Sequence, residues 1–168
     1  DALVRRLMDL PQPLVLDADG INALAGHMDE WERRRGRVTV LTPHEGEFLR
    51  VGGDLSQGRT AAAEDFARRS GAVVVLKGPG TVVAGPDGRC RVNTTGNCGM
   101  AKGGSGDVLS GVVLALLGLG MDAFDACCCA VWLHGRAGDL AAQEKGQWGM
   151  TPTDLLERLP QALREVTE

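Results

Sequence analysis

The sequence predicts an α/β fold of three layers, in which a mainly parallel central sheet is flanked by helices. Short apolar runs suited to buried strands alternate with segments of helical periodicity, which is the pattern of parallel sheets with helical crossovers. The runs that predict parallel strands are Leu14–Leu16, Val38–Leu41 and Val73–Leu76. Each run is apolar enough to be buried on both faces of a sheet.

Helical patterns connect these strands, and a hairpin follows them. The connecting helices are predicted over Asn22–Arg34 and Thr60–Ser70. Downstream, Val82–Ala84 and Arg89–Asn93 flank the tetrapeptide GPDG at Gly85–Gly88, whose proline and glycines are typical of a tight turn. The sheet is therefore expected to gain antiparallel strands late in the chain.

Further helices are predicted over residues 105–117 and 122–143 and from Thr151 onward. Asp122 and Thr151 are suited to begin the last two helices, since a side-chain oxygen at this position accepts hydrogen bonds from free N–H groups. Glycines inside helices cost helix propensity, so we expect close packing against a neighbour where they occur. These glycines are Gly111, Gly135 and Gly138.

The composition fits one globular domain spanning residues 1–168, because 43% of the residues are hydrophobic and 24% are charged. The net charge is −4, and the basic residues are scattered apart from Arg33–Arg37, which we interpret as a solvated helix end, so nucleic acid is not an expected partner. The longest apolar run, Val112–Leu117, is too short to span a membrane, and Asp1–Leu10 lacks the apolar stretch of a signal peptide. The cysteines, including the consecutive Cys127–Cys129, are expected to be reduced thiols, which predicts a cytoplasmic location.

The stretch Asn93–Gly111, NTTGNCGMAKGGSGDVLSG, is rich in glycine and leads into a helix. Gly104, Ser105 and Gly106 are predicted to form an anion hole, because a helix start offers unpaired N–H groups and glycine lets a ligand approach the backbone. Phosphate is the expected anion. Asp107 would lie beside it to handle a proton or help to hold a metal, although a carboxylate here also complements the helix dipole.

Polar motifs follow each predicted parallel strand. DADGIN covers Asp17–Asn22, TPHEGE covers Thr42–Glu47 and KGPGT covers Lys77–Thr81. Ligands of open α/β sheets collect beyond the carboxyl ends of the strands. We therefore expect these motifs and Asp107 to share one site.

Each motif permits a chemical role and a structural one. Asp17 and Asp19 would hold Mg²⁺ through water or position a polar substrate, or an Asp would cap the following helix. His44 is a candidate substrate ligand and Glu47 a candidate water-mediated contact to a metal, or the segment is a helix turn with a capping acid. Lys77 suits a nucleotide phosphate or ribose, or it is an exposed lysine in a β-turn.

Together the motifs resemble those of the ADP-dependent NAD(P)H-hydrate dehydratases, a family of the ribokinase-like superfamily. The resemblance also includes LHGRAGD at Leu133–Asp139 and GMTPTDLLERLP at Gly149–Pro160, so it extends in order over nearly the whole chain. GGSGD alone would indicate only the superfamily. The resemblance implies a ribokinase-like fold and repair of NADH or NADPH whose nicotinamide ring has been hydrated, with ADP, or ATP, and Mg²⁺.

The resemblance also implies roles for individual residues. Asp107 is the catalytic residue and binds the hydrate together with His44 and Asn97. The adenine nucleotide is bound by the loop that follows the third strand and by the helix start, a set comprising Lys77, Gly78, Pro79, Gly80, Thr81 and Gly106. His134 is interpreted as a packed helix histidine rather than a base. An epimerase acting on the other hydrate stereoisomer is the implied pathway partner, and a homo-oligomer is the implied assembly.

Members of this family begin upstream of DADGIN with another glycine-rich segment that binds substrate. The chain is therefore expected to correspond to the C-terminal portion of the family domain, with part of the substrate pocket outside it. Two other functions remain open. One is a kinase that phosphorylates a small alcohol, such as a vitamin precursor, and the other is a non-catalytic fragment that binds nucleotide.

Overall fold

The computed structural model describes residues 2–167 and confirms the predicted alternation of strands and helices. The strands are β1 (Leu14–Leu16), β2 (Thr39–Leu41), β3 (Val73–Leu76), β4 (Val82–Ala84) and β5 (Cys90–Val92). The helices are α1 (Ala2–Leu7), α2 (Asp19–Asn22), α3 (Met28–Glu32), α4 (Glu45–Arg50), α5 (Arg59–Ser70), α6 (Ser105–Gly118), α7 (Ala123–Gly149) and α8 (Pro152–Thr167), with a 3₁₀ turn at Cys98–Met100. Within residues 2–167, no helix combines the length and apolar character needed to cross a membrane.

The sheet is mixed, with its strands in the order β1-β2-β3-β4-β5. β1 pairs in parallel with β2, and β2 with β3, in registers that align Leu16 with Leu41 and Leu41 with Val74. β4 is antiparallel to both β3 and β5, which confirms the predicted hairpin. The carboxyl ends of the first three strands therefore meet at one edge of the sheet.

Alternate strand residues point to opposite faces of the sheet, and helices cover both faces. Leu41 and Leu76 pack on the side of α5, where Phe66 is buried with them. Val40 and Val75 pack on the other side, in the apolar cluster that contains residues of α6 and α7. This arrangement gives the three predicted layers, with apolar packing on both sides of the sheet.

The predicted helix over Asn22–Arg34 is wrong, because α2 ends at Asn22 and only Met28–Glu32 of this segment forms a further helix, α3. Gly26 lies between them with a φ of +77°, a left-handed conformation that suits glycine and ends a helix. α7 is longer than predicted and continues to Gly149 across a non-helical residue, Gly146, whose φ is 71°. Both differences arise at glycines, where a helical pattern alone does not fix the backbone.

Arg34 is not part of a solvated helix end, since it is only 2% exposed. Its guanidinium donates hydrogen bonds to the carbonyls of Leu10, Gln12 and Val38 at 2.7, 2.8 and 2.9 Å. A planar group with several donors can satisfy carbonyls from separate segments at once. Arg34 thereby ties the chain before β1 to the start of β2.

Two glycines of α7 allow the glycine-rich segment to lie directly on this helix. A Cβ on Gly135 would lie 2.2 Å from Thr95 Oγ1, and a Cβ on Gly138 would lie 2.3 Å from Met100 Sδ. The predicted close packing is confirmed at these two positions. It is wrong for Gly111 of α6, where a Cβ would meet no atom within 4 Å.

The helix starts at Asp122 and Thr151 are as predicted. Asp122 Oδ1 accepts hydrogen bonds from the N–H groups of Phe124 and Asp125 at 3.1 and 3.2 Å. Asp154 Oδ2 accepts from the Thr151 N–H at 2.8 Å, and Thr151 Oγ1 accepts from the Asp154 N–H at 3.3 Å. These bonds satisfy donors that a helix leaves unpaired and fix where α7 and α8 begin.

We expect Gly135→Ala to lower the free energy of unfolding by about 1–3 kcal/mol, because the new methyl group overlaps Thr95 and displaces the glycine-rich segment. Gly111→Ala is the matched control, since it adds the same methyl group to a helix where space is free. This control should raise the free energy of unfolding by up to about 1 kcal/mol through helix propensity. Urea denaturation measures both values, and a loss of equal size in the two variants would contradict the packing role of Gly135.

Candidate active site

Backbone hydrogen bonds continue beyond the strand ends and bring the polar motifs together. The Thr42 N–H donates to the Leu16 carbonyl at 3.1 Å, and the Lys77 N–H donates to the Pro43 carbonyl at 2.8 Å. An isolated parallel bridge joins His44 to Lys77. DADGIN, TPHEGE and KGPGT therefore share one edge of the sheet, as their positions after the strands predicted.

An ion pair between Lys77 and Asp17 links the end of β3 to the end of β1 across β2. Lys77 Nζ lies 2.6 Å from Asp17 Oδ1 and 3.9 Å from Glu47 Oε2. Asp17 Oδ2 also accepts a hydrogen bond of 3.2 Å from Ser110 Oγ in α6. The side chains of Asp17 and Glu47 are only 16% and 7% exposed, so the ammonium compensates carboxylates that are largely removed from water.

Ala18 holds the backbone between Asp17 and Asp19 in a strained conformation. Its φ of 47° and ψ of −118° lie outside the regions that L-residues favour. Such outliers cost about 1–3 kcal/mol and cluster at functional sites. The turn directs Asp17 to the ion pair and starts α2 at Asp19, whose charge complements the helix dipole.

His44 is the N-cap of α4, which is the structural alternative for this motif. Its Nδ1 accepts from the N–H groups of Gly46 and Glu47 at 3.0 and 3.3 Å, and Glu47 Oε2 accepts from the His44 N–H at 2.8 Å. Because Nδ1 is an acceptor, a neutral ring carries its proton on Nε2, which lies 3.3 Å from Glu47 Oε1. The His44 side chain is 52% exposed, so part of the ring remains accessible to a ligand.

The first turn of α6 leaves two donors for an anion. Gly104 precedes the helix with a φ of 97°, and the Ser105 N–H already donates to the Lys102 carbonyl at 3.2 Å. Within residues 2–167, no backbone carbonyl accepts from the N–H groups of Gly106 or Asp107. Unpaired N–H groups at a helix start favour an anion. Of the predicted anion hole of Gly104, Ser105 and Gly106, the Ser105 N–H is therefore occupied, the Gly104 and Gly106 N–H groups have no backbone acceptor among the described residues, and Asp107 adds a further free donor.

Gly106 brings this helix start directly against the ion pair. A Cβ at Gly106 would lie 3.1 Å from Asp17 Oδ2 and 3.4 Å from Lys77 Nζ. Since glycine has no side chain, the start of α6 approaches the Lys77 ammonium and the Asp17 carboxylate closely. A phosphate group fits such a place, because its oxygens accept from backbone N–H groups and ammonium alike.

The loop after β3 is shaped by two glycines and supported by Arg59. Gly78 and Gly80 have φ values of 148° and 62°, and Thr81 Oγ1 donates to the Gly78 carbonyl at 3.1 Å. The Arg59 guanidinium donates to the Leu76 carbonyl at 2.9 Å and lies 2.8 Å from the position that a Gly78 Cβ would take. Sequence reasoning missed Arg59, because it begins α5 outside every motif.

Asn97 is engaged by the protein at both ends of its side-chain amide. Its Nδ2 donates to Asp139 Oδ1 at 2.9 Å, and its Oδ1 accepts from the Gly99 N–H at 3.0 Å. Asp139 Oδ2 also accepts from the Gly96 N–H at 2.9 Å. These bonds hold the glycine-rich segment on α7, and the contact between Asn97 and a substrate stays a prediction.

Asp107 is exposed and borders an apolar groove between α6 and α8. The groove has a volume of ≈ 460 Å³. Its lining consists of Asp107, Val108, Gly111, Val112, Ala115 and Leu156. Gly111 lies one helical turn after Asp107 and adds no side chain to the groove. The carboxylate of Asp107 therefore faces an open space, whereas those of Asp17 and Glu47 lie near Lys77.

The described residues fit Mg²⁺ only indirectly. Lys77 lies between Asp17 and Glu47, so its ammonium occupies the place where these two carboxylates would share a cation. No group of three or more His, Cys, Asp or Glu side chains suited to a metal occurs within residues 2–167. Mg²⁺ often binds through one or two carboxylates, water and substrate phosphates. Glu47, acting through water, is the residue that would hold it together with a nucleotide.

His134 of α7 contacts the first turn of α6, as expected for a packed histidine. Its Nε2 lies 2.9 Å from the Ser105 carbonyl oxygen. Burial lowers the pKa of His134 to about 4, and the Lys77 ammonium adds to this shift, while the bond to the Ser105 carbonyl opposes it. The ring is therefore neutral near neutral pH. Its proton lies on Nε2, because a carbonyl only accepts.

The neutral state of His134 predicts a pH dependence of stability. Its pKa is about 4 in the folded chain and about 6.5 in the unfolded chain, so the unfolded chain binds the proton first as the pH falls. Stability from this group is therefore lost between about pH 7 and about pH 4, by about 3 kcal/mol in total.

Urea denaturation of the wild type and of His134→Gln over this pH interval checks the expectation. Glutamine retains an N–H donor but does not titrate, so the free energy of unfolding should fall more steeply with acid in the wild type. Curves that run parallel for the two proteins would contradict a buried neutral histidine.

Comparison with known proteins places these features in a family. The family profile described as NAD(P)H-hydrate dehydratase matches residues 1–161. The bifunctional NAD(P)H-hydrate repair enzyme Nnr of Thermofilum pendens is 47% identical over 161 residues, which cover 94% of this chain and 30% of that protein. The ADP-dependent (S)-NAD(P)H-hydrate dehydratase of Neisseria meningitidis is 42% identical, over 80% of this chain and 47% of that protein.

A solved relative has the same fold. The crystal structure of the ADP/ATP-dependent NAD(P)H-hydrate dehydratase of Bacillus subtilis, obtained with ATP and Mg²⁺, aligns with a TM-score of 0.81 and 33% identity. The alignment covers 96% of this chain and 59% of the solved chain, and it confirms the predicted ribokinase-like fold. The present chain thus spans less than half the length of these curated relatives and about three fifths of the solved one. By the extent of the profile match and by these identities, the chain belongs to the NAD(P)H-hydrate dehydratase family.

Proposed function

We propose that this chain carries out the ADP-dependent dehydration of (S)-NAD(P)H hydrate, a hydro-lyase reaction that yields NAD(P)H, AMP and phosphate. The observation that carries the proposal is the position of Asp107. Its exposed carboxylate belongs to the first turn of α6, where the N–H groups of Gly106 and Asp107 are unpaired and where Gly106 lies against the ion pair of Lys77 and Asp17. A base and an anion site in contact are what transfer of a phosphoryl group to a hydroxyl requires.

The nucleotide is assigned to the side of the site that faces Lys77. Lys77, Gly78, Pro79, Gly80 and Thr81 form the loop after β3, and Gly106 contributes its N–H from α6. The φ values of Gly78 and Gly80 support this assignment, because they expose backbone in a conformation that few other residues adopt. ADP is the proposed nucleotide, with ATP as the alternative that the name of the B. subtilis relative includes.

The hydrated nicotinamide is assigned to the side that faces Asp107. His44 and Asn97 are the further substrate contacts in this proposal. The accessible edge of the His44 ring supports its role. Asn97 would act through the loop that it shapes, since its amide already bonds to Asp139 and Gly99.

Asp107 solves the problem that hydroxide is a poor leaving group. Its carboxylate accepts the proton of the hydrate hydroxyl while the hydroxyl oxygen attacks the terminal phosphorus of ADP, and the bond between this phosphorus and AMP breaks. The ring nitrogen then donates its lone pair, the carbon–oxygen bond breaks, and phosphate leaves. Loss of a proton from the neighbouring ring carbon restores NAD(P)H.

The charge that develops on the phosphoryl oxygens is stabilised by donors already in place. We assign this role to the N–H groups of Gly106 and Asp107 and to the Lys77 ammonium, which need little rearrangement because α6 and the ion pair to Asp17 hold them. Mg²⁺, held with the nucleotide phosphates through water on Glu47, would supply further charge neutralisation. The largely buried Asp17 carboxylate holds the Lys77 ammonium at this edge of the sheet.

Three further points belong to this proposal. An NAD(P)H-hydrate epimerase is the proposed pathway partner. The name of the bifunctional repair enzyme of Thermofilum pendens agrees with a second repair activity beside the dehydratase. A homo-oligomer and a cytoplasmic location are proposed as for the family. The free cysteines agree with a reducing compartment.

Asp107→Asn should retain ADP binding and lose about two to four orders of magnitude in rate, because the amide keeps the shape of the carboxylate but accepts no proton. The measurement is recovery of the near-ultraviolet absorbance of dihydronicotinamide when the chain is mixed with NADH hydrate, Mg²⁺ and ADP. Asp19→Asn is the matched control, since Asp19 lies on the same edge of the sheet but outside the proposed chemistry.

Different outcomes separate the candidate functions. Near-normal turnover by Asp107→Asn would contradict the catalytic role of Asp107. Accumulation of a stable phosphorylated product would instead indicate a kinase acting on a small alcohol. ADP binding without turnover, under conditions in which the B. subtilis dehydratase restores the absorbance, would indicate a nucleotide-binding chain that does not complete the reaction.

A further inference from the structure

His134 makes a contact that the reaction described above does not use. It lies on α7, and its Nε2 reaches the carbonyl oxygen of Ser105 in the first turn of α6 at 2.9 Å. The two residues are separated by 29 positions, so this is a tertiary contact between two helices. The Ser105 carbonyl that it contacts belongs to the same peptide group as the Gly106 N–H.

Because the peptide group is planar, the contact of His134 with the Ser105 carbonyl also affects the Gly106 N–H. The Ser105 carbonyl and the Gly106 N–H belong to one rigid trans unit, so they point in opposite directions and rotate together. A donor bound to the carbonyl therefore adds to the helix in holding the direction of the N–H. It also polarises the peptide group, which strengthens the hydrogen bond that the N–H donates on the other side.

We propose that His134 is a positioning residue, which orients the Ser105–Gly106 peptide so that the Gly106 N–H faces the nucleotide phosphate. The inference rests on the proposed function insofar as a nucleotide is the anion bound there. The Lys77 ammonium lies 3.4 Å from the position of a Gly106 Cβ, so the two donors are neighbours, and in this proposal they bind one phosphate.

The charge state of the ring suits this role. Burial and the nearby Lys77 keep His134 neutral at working pH, so its proton remains on Nε2 and points at the carbonyl. A permanently charged donor at this position would bring a second buried cation close to Lys77. A neutral donor holds the peptide without competing for the carboxylate of Asp17.

A neighbouring contact provides the matched control. Thr95 Oγ1 donates to the Trp132 carbonyl of α7 at 3.0 Å and thereby fastens the glycine-rich segment to the same helix. Its bond is close in length to that of His134 but does not involve the Ser105–Gly106 peptide. Thr95→Val removes this bond with little change in shape and reports general loosening between the segment and α7.

The test compares His134→Phe, which keeps a ring without a donor, with His134→Gln, whose amide nitrogen can take the place of Nε2. His134→Asn is a second variant without a donor at that position, because its amide is one carbon shorter, and it serves if the phenylalanine variant does not fold. Isothermal titration of the full chain with ADP and Mg²⁺ measures affinity. The amide proton shift of Gly106, measured by NMR without nucleotide, reports polarisation of the peptide, and thermal melting confirms folding.

His134→Phe should weaken ADP binding about tenfold, the value of one hydrogen bond. It should also move the Gly106 amide proton upfield. His134→Gln should restore ADP affinity to within about threefold of the wild-type value and should recover most of the amide proton shift. Thr95→Val should change neither. Where the wild type dehydrates NADH hydrate, the loss in kcat should exceed the loss in ADP affinity, because charge on the phosphoryl oxygens grows in the transition state.

Other results would overturn the inference. The first is an unchanged ADP affinity in a folded variant without the donor. The second is a loss of ADP affinity that is equal in His134→Gln and His134→Phe, or equally large in Thr95→Val. The third is that the wild type does not bind ADP. If the wild type binds ADP with the expected dependence on His134 but does not dehydrate NADH hydrate, the proposed function fails while the positioning role stands.

Discussion

The ion pair between Lys77 and Asp17 is the interaction on which the rest of the site depends. Its two partners stand at the ends of β3 and β1, so the pair closes the edge of the sheet over β2. Asp17 also accepts from Ser110, which ties α6 to the same point. A carboxylate this close to unpaired N–H groups would repel an anion if it stood alone. The ammonium cancels that charge, and the helix start then favours a phosphate.

Glycine serves two separate needs around this pair. At Gly106 the missing side chain allows the start of α6 to lie against the ion pair. At Gly135 and Gly138 it allows the glycine-rich segment to approach α7 so closely that any Cβ would overlap it. Gly111 serves neither need, since it only lines the groove beside Asp107 without adding a side chain. In both cases glycine lowers the helix propensity of α6 or α7 but allows a close approach of neighbouring groups.

The sequence predicted the strands and the meeting of the motifs because both follow from local pattern and from strand direction. β2 and β3 are buried on both faces, so their apolar runs leave little ambiguity. The helix predicted over Asn22–Arg34 was wrong because the turn that contains Gly26, with its positive φ, separates α2 from α3, and periodicity does not encode that conformation. Arg59 and His134 were missed as site residues for another reason. Each acts on a backbone carbonyl distant in sequence, and such a contact leaves no spacing to recognise.

The two sides of the site differ in how firmly the described chain holds them. On the side proposed to bind the nucleotide, Lys77 is held by Asp17, the loop after β3 by Arg59, and the helix start by His134. Asp107 instead stands exposed at the edge of an open groove. Preorganised donors lower the cost of binding an anion, whereas a general base acts only when substrate is held within hydrogen-bonding distance of it. If the proposed function holds, nucleotide affinity and turnover are separable properties of this fold, and affinity is the one that the contacts within this chain would determine most directly.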